Sequence, residues 1–135
     1  MSEFRLSEIK LFVLDMAGTT VSGTFEVHDS LIKAFKENGY EINRTIAGKS
    51  IAVPKPLGIS IILKEIFQLE SKQLTSDIHD AFLIHINNYY LSSPEVCEME
   101  GSSDLFRFLR QKGISIFLDT GFSRNTASII IERLK

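Results

Sequence analysis

The sequence has no tryptophan and a single cysteine, Cys97. One thiol excludes an intramolecular disulfide framework and fits a reducing compartment. There is no excess of positive charge either: fifteen Lys and Arg against seventeen Asp and Glu leave a formal net charge of −2. Without a basic cluster, that balance argues against a nucleic-acid binder. No apolar run approaches the roughly 18 residues of a membrane helix, and no cationic leader precedes an apolar core at the N-terminus. The expectation is a soluble, cytoplasmic protein without nucleic-acid or membrane partners. His79 and His85 match no familiar helical metal spacing, and nothing is periodic enough for a repeat protein. At 135 residues the chain is one domain, or a core with a small insertion.

What the chain does hold is a strand signal that ends on a carboxylate. Leu11-Phe-Val-Leu-Asp15-Met-Ala-Gly-Thr-Thr-Val21 opens as an apolar run, meets a lone aspartate and breaks into a Gly-Thr-Thr loop. This predicts a carboxylate at the C-terminal edge of a buried strand, where open α/β sheets place their ligands. The loop N–H groups are expected to receive an anion, with hydroxyl donors from Thr19 and Thr20. A carboxylate beside an anion pocket suits a nucleophile for phosphoryl chemistry. The plainer alternative is a buried strand followed by a capped turn.

A second segment strengthens the chemical reading. Ile114-Ser-Ile-Phe-Leu-Asp119-Thr120-Gly121-Phe122-Ser123-Arg124 is another apolar strand, ending on a hydroxyl residue and a glycine. Thr120 can donate through its hydroxyl, and the backbone can approach a phosphate closely at Gly121. Two parallel strands would aim Asp15 and Thr120 at one point. Because side chains alternate along a strand, Asp119 is expected to point away from Thr120.

Between the two segments the apolar pattern is helical. Val27, Leu31, Ala34 and Phe35 share one face, and Gly39 is a natural stop. Pro54 and Pro56 restrict the backbone around Lys55 and start a helix through the apolar run Leu57 to Phe67, expected to be deeply packed. A lysine partly desolvated there would have a lowered pKa and react as the free amine, although an ordinary solvated lysine fits the same residues. Lys49 is a weaker rival, since its Gly-Lys-Ser lacks the glycine spacing of a P-loop. Leu74, Ile78, Phe82, His85 and Tyr89 form a third stripe, with His85 read as a core or boundary histidine. Further on, Leu105, Phe108 and Leu109 are expected to face the sheet. Ser123 caps a final helix with Ala127, Ile130, Ile131 and Leu134 turned inward. The order describes an α/β crossover interrupted by an insertion. Asn43-Arg-Thr45 matches a glycosylation sequon, read as chance without a secretion signal.

On these motifs the chain resembles the haloacid dehalogenase (HAD) superfamily, with Asp15 matching its first-motif nucleophile and Thr120 its second-motif phosphate ligand. The resemblance implies an incomplete Rossmann-like α/β core of two parallel strands, residues 1–22 and 97–135, with a helical cap inserted over residues 23–96. It implies Mg²⁺ on the Asp15 carboxylate and the Ala17 carbonyl, and substrate oxygens held by Thr19, Thr120 and Gly121. Phosphatases of the superfamily usually carry a second aspartate two residues after the nucleophile to protonate an alkoxide. Ala17, at that position, has no proton to give. Met16-Ala-Gly-Thr-Thr20 and Thr120-Gly121-Phe122 are similar instead to the phosphonatase branch, phosphonoacetaldehyde hydrolase and its relatives. That branch breaks a carbon–phosphorus bond through a lysine imine. The dehalogenases also lack the acid but favour an aromatic where Ala17 stands. Ile51-Ala-Val-Pro-Lys55 resembles the branch's Met-Gly-x-x-Lys stretch, which makes Lys55 the imine former. Ile51 and Ala52 depart from it.

The superfamily's third motif, a lysine or arginine, and its fourth, acidic metal ligands, follow the second motif and have no counterpart here. Asp119 is a weak substitute for the acidic ligands. Two strands alone would leave pairing groups and apolar surface uncovered. Three readings stay open: an N-terminal portion of a longer protein, strands supplied by another chain such as a second copy, or a truncated gene product. The expected function is a phosphonatase-like hydrolase acting on a small phosphonate. The alternatives are a phosphatase of small phosphate esters and a non-catalytic remnant or interaction protein.

Overall fold

Both apolar runs become strands, and they pair with each other. The computed structural model describes residues 6–23, 25–51 and 53–134. Strand β1 (Leu11–Asp15) and strand β2 (Ser115–Asp119) are parallel and in register from Leu11↔Ser115 to Asp15↔Asp119. Among the described residues they form a two-stranded sheet. Parallel strands need a crossover, and its last helix, which we number α5 (Ser102–Gln111), packs against β2. Gly101 and Gly113, at φ +86° and +71°, take the left-handed turns at its two ends. The Ile114 N–H then donates to the Leu109 carbonyl, which starts the return into β2.

Burial alternates along both strands, with Phe12, Leu14, Ile116 and Leu118 half-buried. The other face carries Leu11, Val13 and Phe117, which are 49%, 54% and 62% exposed. The strands are therefore not buried on both faces, as a strand in a parallel sheet normally is. The uncovered apolar surface expected of two strands is present.

The chain divides into two compact units, one from Met1–Gly23 and Pro94–Thr120, the other from Thr24–Ser93 and Gly121–Lys135. In the first, the outgoing segment at Thr20–Ser22 lies antiparallel to the returning segment at Cys97–Met99. Met99 N–H donates to the Thr20 carbonyl, and Val21 bridges Glu98. Ser22 fastens this pairing: its hydroxyl donates to the Glu95 carbonyl and accepts from the Cys97 N–H.

The second unit is helical: α1 (Glu26–Glu37), α2 (Arg44–Ala47) running into a 3-10 turn (Gly48–Ser50), α3 (Lys55–Phe67), α4 (Lys72–Ser92) and α6 (Arg124–Arg133). Asn43, Ser71 and Ser123 cap α2, α4 and α6, each accepting from a backbone N–H three residues on. Leu31, Ala34 and Phe35 of α1 are buried, and Gly39 ends that helix region at φ +87°. No described helix is long and apolar enough to cross a membrane.

Four helix faces differ from the periodic expectation. On α3, Ile59, Ile62 and Leu63 are buried but Leu57 and Ile66 are exposed, so this helix is packed on one side. On α4 the buried line is Ile78, Phe82, Ile86 and Tyr90, one residue past the expected His85 and Tyr89. The cause is that α1, α3 and α6 all pack against α4 and together draw the i+4 row inside. His85 lies at the boundary and meets Glu37 at 2.8 Å. On α5, Leu109 is buried whereas Phe108 is exposed beneath the Lys112 ammonium. On α6, Thr126 and Ile130 are buried and Ile131 is exposed. Thr126 goes inside because its hydroxyl bonds Asn87 of α4, while Arg133 donates to the Tyr90 carbonyl.

One buried polar pair ties α1 to α4. The fully buried Tyr90 hydroxyl donates to Glu26 Oε1 at 2.8 Å, and Glu26 is itself buried. Tyr90→Phe strands that carboxylate oxygen without its donor and is expected to cost about 1–3 kcal/mol in a denaturant titration. Burial, then the Glu26 charge, pushes the Tyr90 phenol well above its usual range. The folded chain thus keeps this proton after the unfolded chain has released it. Tyr90's share of stability is full below the free phenol value of about 10 and declines as pH rises above it. A tyrosinate absorbance titration should find this phenol ionising only as the protein unfolds.

Candidate functional site

The candidate residues fall into two groups: Asp15, Ala17, Thr19 and Thr120 belong to the first unit, Lys55 and its surroundings to the second, and Gly121 is the first residue of the second unit's returning segment. In the first, β1 ends on Asp15, whose carboxylate is exposed and accepts the Met16 N–H through Oδ1 at 2.7 Å. That contact turns one oxygen back along the chain and leaves Oδ2 for chemistry. The loop behind it closes on itself. Thr19, Thr20 and Val21 all direct their N–H groups to the Met16 carbonyl at 2.9–3.1 Å, and Gly18 N–H donates to the Val21 carbonyl. Gly18 takes φ +77° to allow this.

Two expectations change as a result. The N–H groups of residues 18–21 are spent inside the loop and do not form an anion cradle. Thr20 is buried, and its hydroxyl donates to the Asp15 carbonyl at 3.0 Å, so it braces the backbone of Asp15. Thr19, at the tip of the loop, is exposed.

Register brings a second carboxylate beside the first. Asp119 is the in-register partner of Asp15, and both are exposed at the C-terminal ends of their strands. Thr120 follows at once and is half-buried. At Gly121 an added Cβ would meet nothing within 4 Å, so the backbone is open to close approach there.

The fit to Mg²⁺ can be judged from the donors. The Asp15 carboxylate and Ala17 carbonyl are hard oxygens of the kind Mg²⁺ takes, and such ions keep several waters when protein ligands are few. Among the described residues no cluster of three or more His, Cys, Asp or Glu side chains could hold a metal. The residues present therefore suit Mg²⁺ in kind, as a partial ligand set.

The second group centres on Lys55, the first residue of α3, set between Pro54 and Pro56. Fixed φ at these prolines starts the helix here. Lys55 is half-buried, and its Nζ donates to the Ser50 carbonyl at 3.0 Å. Burial holds its amine below the ordinary lysine range. The rival Lys49 is exposed and bonded to Glu65 at 2.7 Å. Ala52, one of the two departures from the phosphonatase pattern, lies outside the described residues, and Ile51 is exposed.

The sequence reading missed Ser50 and Gly58. Ser50 is buried, and its hydroxyl donates to the Ala47 carbonyl at 2.8 Å. A Cβ added at Gly58 would stand 2.5 Å from Ser50 Cβ and 2.8 Å from Ser50 Cα. The available signal was an isolated glycine inside an apolar helical run, which usually marks close packing.

Residues 9–135 match the family model described as "Hydrolase: haloacid dehalogenase-like hydrolase". No curated protein matches the chain. Among solved structures it is similar to a hydrolase from Pseudomonas syringae, with TM-score 0.81 and 13% identity over 93% of this chain and 56% of that one. It is also similar to a predicted phosphoglycolate phosphatase from Haemophilus somnus, with TM-score 0.75 and 12% identity over 96% and 59%. A third is a HAD family hydrolase from Deinococcus radiodurans with bound phosphate and sodium, at TM-score 0.56 and 13% identity over 93% and 52%. At these identities the likeness is one of fold, and the chain spans between 52% and 59% of these three structures.

Proposed function

The chain belongs to the haloacid dehalogenase-like hydrolases, and from that premise we propose that it is a phosphonatase-type member acting on a small aldehyde-bearing phosphonate. The observation that carries this reading is Lys55, a half-buried amine held below the ordinary lysine range and anchored on the Ser50 carbonyl. A surface lysine is protonated and slow toward a carbonyl at neutral pH; desolvation shifts the balance toward the free amine, the form that adds to a carbonyl. Ala17 adds to the argument, because without a proton donor at that position a carbon leaving group needs another way to stabilise its electrons.

In this reading the Lys55 amine adds to the substrate aldehyde and loses water, giving a protonated imine. Asp15 Oδ2 attacks phosphorus, the carbon–phosphorus bond breaks, and its electron pair moves into the imine to give an enamine. Water then hydrolyses the aspartyl phosphate, while the enamine takes a proton on carbon and is hydrolysed from Lys55. Thr19, Thr120 and the Gly121 N–H hold the phosphonate oxygens. Mg²⁺, when bound by the Asp15 carboxylate and Ala17 carbonyl, offsets the repulsion between a carboxylate and a phosphonate dianion.

The name of the Haemophilus somnus structure favours a second reading, hydrolysis of small phosphate esters. One experiment separates the two. The chain is given phosphonoacetaldehyde or phosphoglycolate with Mg²⁺, with and without borohydride. Phosphate release from the phosphonate, with borohydride inactivation only when that substrate is present, is the expected result. Release from phosphoglycolate alone, untouched by borohydride, would establish the ester reading. Release from neither would overturn both for this chain by itself and leave it a portion of a longer protein or a non-catalytic descendant.

A further inference from the structure

We propose that Gly58 is a positioning residue for Lys55: by lacking a side chain it lets α3 lie against the backbone of Ser50, and so fixes the carbonyl that holds the Lys55 amine. The inference rests on the reading of Lys55 as the reactive amine.

The geometry runs through three residues. Lys55 and Gly58 are one helical turn apart on α3 and so share a face. Ser50 ends the 3-10 turn, and three contacts hold it there. Its hydroxyl donates to the Ala47 carbonyl, the next residue's N–H donates back to the Gly48 carbonyl, and Gly58 receives its Cα and Cβ. The remaining feature is its own carbonyl, which accepts Lys55 Nζ at 3.0 Å.

Any side chain at position 58 would overlap backbone as well as side chain, since 2.8 Å to Ser50 Cα is closer than real Cβ atoms come. Rotating Ser50 away does not relieve this; the turn and the helix must separate. Separation moves the Ser50 carbonyl off the amine and admits water between them. Lys55 then becomes an ordinary protonated lysine, fully solvated and slow toward carbonyls.

Other charges near this turn have their own partners. Lys49 pairs with Glu65, Arg44 with Asp29 and Lys64 with Glu70. His28 of α1 lies alongside Gly48, with its Nε2 4.0 Å from where a Cβ there would stand. Burial is what lowers the Lys55 amine, and in the proposal that burial is kept by the seating of Ser50 on α3, with the Ser50 carbonyl fixing where the amine sits.

The test reads the amine directly and needs no turnover. The whole chain is treated with formaldehyde and cyanoborohydride over a pH series, and methylation of each lysine is followed by peptide mass mapping, with exposed Lys33 and Lys112 as internal references. In the native protein Lys55 is expected to label ahead of the references on the acid side of the series. Gly58→Ala, shown by circular dichroism to remain helical, is expected to lose that advantage severalfold. Ser50→Ala, which keeps the carbonyl but drops the bond to Ala47, is expected to move the same way by less, and it serves where Gly58→Ala does not fold. Gly58→Ala combined with Ser50→Gly removes the nearer overlap and should recover part of the Lys55 rate. A folded Gly58→Ala or Ser50→Ala protein with native Lys55 labelling overturns the proposal. The underlying reading fails separately: Lys55 that labels readily, in a protein without carbon–phosphorus cleavage, removes the phosphonatase assignment and leaves the positioning role intact.

Discussion

Asp15→Asn is expected to lower phosphate release by at least roughly a thousandfold, whichever substrate class the chain turns over, because in the proposed chemistry it removes the group that forms the covalent bond. The substitution is close to isosteric. Its amide oxygen can still accept the Met16 N–H that Asp15 Oδ1 accepts at 2.7 Å. The amide lacks the charge and basicity to displace a leaving group from phosphorus. Stability gives the control. Asp15 is exposed, and changes at exposed sites usually fall within about 0.5 kcal/mol, so the melting temperature should barely move. Asp119→Asn is the matched comparison, since Asp119 is the in-register neighbour, equally exposed and of the same charge. It forms no bond to phosphorus in the proposed chemistry and should cost far less. Parallel assays of phosphate release with thermal melts decide the matter. Native rates from Asp15→Asn would remove Asp15 as nucleophile. Equal losses at both positions would point to a shared cation or charge role instead.

The strands and α1 were legible because their signals are local. A short apolar run with β-branched and aromatic residues, closed by a turn, reads as a strand from its own composition, and Leu31, Ala34 and Phe35 repeat at helical spacing without interruption. The later helices were half legible. Periodicity shows which residues could face inward, but burial depends on which neighbours arrive. Three helices pack on α4 and pull in Ile86 and Tyr90 in place of His85 and Tyr89. On α6 a hydrogen bond to Asn87 takes Thr126 inside, while Ile131 remains out. The short helix α2, four residues long, has too few positions to show a period.

At the candidate site the same division holds. Asp15, Thr120 and Lys55 could be named because the roles proposed for them belong to side chains, which a sequence displays. Thr20 was misread because a loop hydroxyl looks the same in sequence whether it turns toward a ligand or back to its own strand. The support for Lys55 was hidden for a different reason. The Ser50 group that matters is a backbone carbonyl, which every residue possesses, so no residue type announces it.

Lys55→Ala is expected to divide the two chemistries proposed above. If carbon–phosphorus cleavage runs through an imine, the variant loses the only acceptor for the electron pair of the breaking bond, and cleavage should fall by at least roughly a thousandfold. Hydrolysis of a phosphate ester, in which the pair goes to oxygen, needs no imine and should survive. Lys55→Arg sharpens the comparison, because a guanidinium keeps the charge and bulk but stays protonated and cannot condense with an aldehyde. Arginine should therefore rescue a merely electrostatic role and fail to rescue the imine. The folded protein carries an independent sign of the same amine. With its pKa held below the ordinary value of 10.5 by burial, Lys55 binds fewer protons in the folded chain than in the unfolded one just below that value. Stability contributed at this position accordingly rises with pH as the folded amine loses its proton, and levels off above the ordinary lysine value. Chemical denaturation of native and Lys55→Ala proteins across neutral to alkaline pH should show the native protein gaining on the variant. A constant difference would mean that Lys55 titrates like a surface lysine. Native carbon–phosphorus cleavage by Lys55→Ala would discard the imine, since Asp15 would then be expelling carbon with nothing to receive its electrons.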